Sequence, residues 1–269
     1  MSGGRLFLVA VALGIVEGTT EFVPVSSTGH LILAGRWLEF PADTAAAFSI
    51  FIQLGAVVAV VWYYRARLLA IAAALPSDPR ARGFVARIGL AFLPAAVVGL
   101  LLHEWIVRVL FAPLPIAAAL AAGGVGFFVF DRPRAERDLT TDMADVSWRQ
   151  ALLIGVVQVA ALWPGMSRSG ATLIGGLVAG LTRSAALEFS FFLAIPTLGA
   201  ASLFALWEAR DLLALADVPV FATGLVVSFV VSLAAIAGLL RYVRSRDLHP
   251  FGWYRLALAA LIVVQTLVA

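Results

Sequence analysis

Residues 17 to 30 read EGTTEFVPVSSTGH. Glu17 and Glu21 are spaced to lie on one side of a helical turn, where two carboxylates can share a divalent cation or shift each other's proton affinity. Pro24 prevents that helix from continuing, and Ser26, Ser27 and Thr28 supply hydroxyls where a new one begins. His30 lies one turn beyond Ser27, so its imidazole is expected on the serine's side. Serine, histidine and carboxylate within one stretch fit a nucleophile, an acid or base, and a supporting carboxylate. A second stretch, LWPGMSRSGATL at 162 to 173, holds Arg168 between Ser167 and Ser169, followed by Gly170 and Thr172. The planar fork of arginine suits phosphate, and a helix starting near Ser169 would aim its unpaired N–H groups at the same anion. Arg168 could instead merely neutralise Glu17 or Glu21, but that would explain neither the serines nor the glycines. Acid, base and nucleophile from one stretch and an anion clamp from the other suggest phosphoryl transfer, in which catalysis is mostly positioning and charge neutralisation.

Both stretches interrupt apolar sequence. Residues 5 to 38 and 149 to 180 are each broken near the middle, leaving arms too short to cross a bilayer. Each is expected to form a re-entrant helix, loop, helix that returns to its own side, with its irregular backbone lining protein or a wet cavity. Sliding the chain by 141 pairs Gly14 with Gly155, Val16 with Val157, Ser26 with Ser167, Gly29 with Gly170, Gly35 with Gly176, Ala45 with Ala186, Phe48 with Phe189, Ser49 with Ser190 and Phe51 with Phe192. Gln158 then falls opposite Glu17, Arg168 opposite Ser27 and Ala171 opposite His30. An internal repeat is expected, with halves 1–135 and 146–269 joined by a charged linker. Each half holds three full spans, so the second is inverted, and inverted repeats with broken helices place a site near the midplane. Ser26, Thr28, Ser167, Ser169, Gly170, Thr172 and Gln158 are the candidate substrate-binding groups around it.

Of the 269 residues, 62% are hydrophobic and 13% charged, too few charges to cover a water-soluble exterior. The fold class expected is an all-α polytopic membrane protein in a phospholipid bilayer. Six spans are expected at 46–64, 85–102, 114–130, 187–207, 218–240 and 252–268, besides the two hairpins. The basic residues are all arginine and lie between apolar spans rather than on a face with aromatics, so nucleic-acid binding is set aside. With no cysteine, disulfides and thiolate chemistry are excluded. The first residues lack a small-residue cleavage site and are taken as mature sequence. If the hairpins return to their own sides, one face collects Arg65, Arg67, Arg80, Arg82, Arg87, Arg132, Arg134, Arg137, Arg149, Arg183, Arg241, Arg244 and Arg246. The other collects only Arg5, Arg36, Arg108 and Arg210, and this asymmetry places both chain ends and the opening of the first hairpin outside the cytoplasm. Gln53, Gln158, Glu188 and Ser190 are expected to bond between helices, and Arg183 and Arg255 to mark span ends. His103 and His249 receive no role.

EGTTEFVPVSSTGH and PGMSRSGAT, in this order, resemble the bacitracin-resistance type of undecaprenyl-diphosphatase. The resemblance covers essentially the whole chain and extends to the QLG around Gln53, the EFSF from Glu188 and the pair Tyr254 and Arg255. It implies hydrolysis of undecaprenyl diphosphate to the monophosphate and inorganic phosphate, recycling the lipid carrier of cell-wall synthesis. It also implies an active site facing the outer side of a bacterial plasma membrane, and a divalent cation, Mg2+ or Ca2+, on Glu17 and Glu21. Glu17, Glu21, Ser27 and His30 match the family's first motif, and Ser167, Arg168 and Thr172 its second. The other large group of lipid phosphatases needs a lysine motif and a histidine after the arginine, whereas this chain has no lysine and carries Ile174. A polyprenyl-phosphate flippase is the alternative reading, alone or in addition, and a homodimer is an admissible assembly. A channel would want a ring of like polar groups, which the sequence lacks.

Overall fold

The computed structural model describes residues 3–132, 139–208 and 218–268. Part of the expected linker, with Arg134 and Arg137, and Arg210 on the opposite face lie outside the described residues. Eleven α-helices are described: α1 (Gly3–Thr20), α2 (Ser27–Trp37), α3 (Ala42–Tyr63), α4 (Arg65–Ala74), α5 (Pro79–Leu110), α6 (Pro113–Phe130), α7 (Trp148–Gln158), α8 (Arg168–Val178), α9 (Arg183–Glu208), α10 (Val218–Val243) and α11 (His249–Val268). A 3-10 turn, Val159–Leu162, extends α7. Among the described residues there is no strand beyond a single bridge between Thr140 and Leu181.

Helices α5, α6, α9, α10 and α11 are long and apolar enough to cross a bilayer, and α3 makes a sixth span if it is taken together with α4, from which it bends by 68°. The chain is a multi-span membrane protein. The expected span at 85–102 is too short: α5 runs from Pro79 to Leu110. Hydropathy stops at Arg87 and His103, but helix formation does not, because Asp78 caps the start by accepting from Arg80 N and Pro79 is preorganised at the first position.

The two broken segments fold alike. Ser26 caps α2 with φ 73° and accepts from Gly29 N; Ser167 caps α8 with φ 70° and accepts from Gly170 N. At their far ends Glu39 (φ 55°) and Gly180 (φ 85°) take the left-handed conformation that closes a helix C-terminus. Phe40 N then reaches back to Gly35 O at 3.0 Å and Leu181 N to Gly176 O at 2.9 Å. Each hairpin returns to where it began. Arg5 meets Glu39 at 2.6 Å, and Gln150 Nε2 at the start of α7 donates to Ala179 O at the end of α8, 3.0 Å away.

The hairpins open at opposite ends of the molecule. The second opens beside a polar cluster in which Arg67 binds Asp142 (3.2 Å) and Glu188 (3.1 Å), Arg183 Nε donates to Asp131 Oδ1 (2.6 Å), and Leu248 N donates to Asp131 Oδ2 (2.7 Å). The first opens beside Glu39, at the other end of α3, whose length is about 33 Å at the helical rise per residue. Helix packing relies on glycine where backbones touch. A methyl on Gly14 would stand 2.7 Å from Gly224 O, and one on Gly155 2.5 Å from Ala91 O, so α1 seats on α10 as α7 seats on α5.

Candidate active site

The hairpin tips meet inside the bundle. Ser27, the first residue of α2, is buried, and its hydroxyl donates to Glu21 Oε2 at 2.6 Å. Arg168, the first residue of α8, donates from Nη2 to Glu21 Oε1 at 3.3 Å, and Ser169 Oγ reaches Val23 O at 3.5 Å. Arg168 therefore does neutralise Glu21, the alternative weighed above. The same carboxylate also holds the serine hydroxyl, so the ion pair forms part of the constellation rather than replacing it.

A cavity of about 190 Å³ opens over this contact. Glu21, Ser26, Ser27, Thr28, Gln158, Ser167 and Arg168 line it, so seven of the candidate residues share one space. Glu17, His30, Ser169, Gly170 and Thr172 do not line it. Gly170 supplies the N–H that Ser167 caps, and its lack of a side chain leaves room for Arg255, 3.2 Å from where a methyl would be.

His30 departs from its expected position. Its Nδ1–H donates to Ser26 O at 2.7 Å, which leaves Nε2 of the neutral ring to accept from Tyr254 O–H, also at 2.7 Å. Its ring lies parallel to that of Tyr254 with centroids 5.5 Å apart. The serine's partner is Glu21 because the turn of residues 21–25 brings that carboxylate over the N-terminus of α2, while the imidazole points back along the helix to the carbonyl four residues before it.

Thr172 is wholly buried in a network that fixes the arginine. Arg168 Nη1 donates to Ser190 O (3.0 Å) and Ser190 Oγ (3.1 Å). Thr172 donates to Arg168 O at 2.9 Å, so Ser190 Oγ, which accepts from the arginine, donates in turn to Thr172 Oγ1 at 2.6 Å. The helix-to-helix bonds expected of Gln53, Gln158 and Glu188 are also present: Ser202 binds Gln53 at 3.1 Å, Thr197 binds Gln158 at 3.4 Å, and Arg67 binds Glu188.

Arg255 corrects a sequence expectation. It does not mark the end of a span but is wholly buried, and among the described residues its guanidinium donates only to backbone carbonyls. Nε serves Leu120 (3.2 Å), Nη1 serves Pro24 (3.3 Å), and Nη2 serves Ala119 (3.2 Å), Gly165 (3.1 Å) and Met166 (2.8 Å). One side chain thus ties α6 to both tips. The signal was present in the sequence: an arginine set well inside an otherwise apolar helix is costly unless it has a specific task.

Among the described residues, no three acidic or histidine side chains gather as a ready-made metal cage. The carboxylate pair fits a cation through Glu17, since both oxygens of Glu21 already hold Ser27 and Arg168, with phosphate supplying further ligands in the usual manner of magnesium. Glu17 is buried and its Oε1 has no hydrogen-bond partner, a state that a cation would relieve.

Residues 10–261 match the family described as bacitracin resistance protein BacA. An undecaprenyl-diphosphatase of Aromatoleum aromaticum is 47% identical over 261 residues, 97% of this chain and 94% of that protein. One from Nitrosomonas europaea is 48% identical over 259 residues, 96% of this chain and 94% of its own, and one from Ectopseudomonas mendocina is 47% identical over 254 residues, 94% and 92% respectively.

Proposed function

The chain belongs to the bacitracin resistance protein BacA family, and on that premise we propose that it hydrolyses undecaprenyl diphosphate to undecaprenyl phosphate and inorganic phosphate, returning the lipid carrier to cell-wall synthesis and conferring bacitracin resistance. The observation that carries the chemistry is the Ser27 hydroxyl held 2.6 Å from Glu21 with Arg168 on the same carboxylate. Ser27 Oγ attacks the terminal phosphorus as its proton passes to Glu21. The bond to the bridging oxygen breaks, undecaprenyl phosphate leaves, and water then frees phosphate from the serine. Arg168 and the unpaired N–H groups in the first turn of α8 hold the charge that develops on the phosphoryl oxygens. His30 holds the Ser26 carbonyl next to the nucleophile and acts through position. Glu17, with Glu21 beside it, would hold Mg2+ or Ca2+, which supplies charge neutralisation at the phosphate.

In detergent, where no vectorial movement exists, the purified protein is expected to release phosphate from undecaprenyl diphosphate. Ser27→Ala and Arg168→Ala are expected to abolish release while the protein remains extractable and folded. Full activity in Arg168→Ala would sink the scheme. We further propose that the arginine-rich end, with the opening of the second hairpin, faces the cytoplasm and that both chain ends and the opening of the first hairpin face outward, as the arginine asymmetry supports. A reporter at the C-terminus that works only in the cytoplasm should be silent, and an active one would reverse the orientation.

A further inference from the structure

The catalytic cavity has a second wall of different character. Besides the hydroxyls and Arg168 it is lined by Ala95 of α5, Leu162 of the 3-10 turn, and Leu198 and Ala201 of α9, with Thr197 beside Leu198 turned to Gln158 at 3.4 Å. These residues sit where α5 and α9 pack less extensively than α10 and α3 do, and a cause can be read from the other half of the chain. There, α3 and α10 are in backbone contact at Gly55: any side chain on Gly55 would collide with Leu225 O, and the nearest Ser228 Cβ stands only 3.1 Å away. Displaced by 141, position 55 falls on 196, and residue 196 is a proline inside α9. The helix facing α9, α5, carries its own internal proline, Pro94, beside Ala95. Where one half has a glycine that lets two helices close, the other has prolines, each of which removes a helical hydrogen bond and sets its ring against the preceding turn.

This region reaches the surface. Ala201 lines the cavity and is also exposed, and the outer faces nearby carry exposed Leu93, Val97 and Leu203, the side chains of a lipid-facing surface. One space therefore joins a phosphate-binding floor to bilayer depth through an apolar opening. Resting on the diphosphatase reading, we propose that the polyprenyl chain of the substrate leaves the catalytic cavity between α5 and α9, through the gap opened by Pro94 and Pro196 and past Ala95 and Ala201. The occupant follows from continuity. A terminal phosphate fixed at Ser27 and Arg168 must send its hydrocarbon out of the same cavity, and Ala95, Leu198 and Ala201 give it apolar side chains to pass.

The test compares two substrates in one protein. Ala201→Trp fills the exposed rim of the gap without entering the core. The ratio of kcat/KM for undecaprenyl diphosphate to that for a short, soluble prenyl diphosphate is expected to fall about tenfold, equivalent to about 1.4 kcal/mol. An unchanged ratio, whether from equal losses or from none, overturns the route and leaves the diphosphatase reading standing. Unmodified protein that releases phosphate from neither substrate overturns the reading and the route together. A second measurement uses the absence of native cysteine. In Ala201→Cys the introduced thiol should be shielded from an alkylating maleimide by undecaprenyl phosphate and not by inorganic phosphate. Equal labelling in all three conditions counts against the route.

Discussion

Arg255 and Gly123 should behave as one unit. The guanidinium occupies the space above Gly123: a methyl there would collide with Nη2 and stand 2.7 Å from Cζ. Arg255→Met keeps the stem and ends where Nε stood, so every donor is lost. Pro24, Gly165 and Met166 lie in the non-helical tips, and their carbonyls then lose this partner, those of Pro24 and Gly165 in buried surroundings. At about 1–3 kcal/mol for each of these two unmet buried acceptors, the loss is about 2–6 kcal/mol, a large share of the stability of many folded domains. Gly123→Ala displaces the same group by sterics and should cost about 1–3 kcal/mol of overpacking in the unmodified protein. In the Arg255→Met background, where only the flexible Met166 Sδ at 3.1 Å still meets the methyl, Gly123→Ala should cost markedly less. The assay is thermal unfolding in detergent followed by tryptophan fluorescence, which the seven tryptophans make sensitive, with phosphate release measured alongside. Additive destabilisation by the two changes would refute the reasoning, because independent sites add and sites sharing one space do not.

The hydrogen-bond network behind Arg168 makes a second non-additive case. Thr172→Val and Ser190→Ala each break the ring of bonds that holds the guanidinium, and each should lower kcat by about tenfold or more with a smaller change in KM. The double variant should be no worse than the poorer single, and Thr172→Ser, which keeps the hydroxyl, should recover most of the activity. Losses that multiply in the double variant would show two separate roles.

The broken segments were legible because their arms are too short to span and their interruptions contain the residues that begin a new helix. The 141 offset even carries the ends of α2 onto those of α8, Ser27 to Arg168 and Trp37 to Val178. The membrane class was legible in the composition for the same kind of reason, since a bilayer imposes one rule along the whole chain. What stayed hidden depends on which distant residue arrives at a point. His30 meets a tyrosine 224 residues away, Arg168 is held by Ser190 on another helix, and Arg255 takes partners from α6 and both tips. Local spacing placed His30 one turn from Ser27 but could not show that a carboxylate from the preceding turn would reach the hydroxyl first. The length of α5 was missed because arginine interrupts hydropathy without interrupting a helix.

The two serines that start α2 and α8 explain why one backbone device can build an asymmetric site. Ser26 and Ser167 both sit at positive φ, a conformation that costs a residue with a side chain about 1–3 kcal/mol and persists only where its surroundings enforce it. In each case the side-chain oxygen accepts from the N–H of a glycine three residues on, which offsets part of that strain. The conformation turns the chain so sharply that the next residue, the first of the helix, faces the opposing tip. In one tip that residue is Ser27 and in the other Arg168, and Glu21 stands between them in contact with both. Had the same side chain followed both serines, the tips would present two hydroxyls without an anion clamp, or two cations without a nucleophile. The two tips are thus matched scaffolds, and the residue after each cap, together with Glu21 on one side only, gives them complementary chemistry.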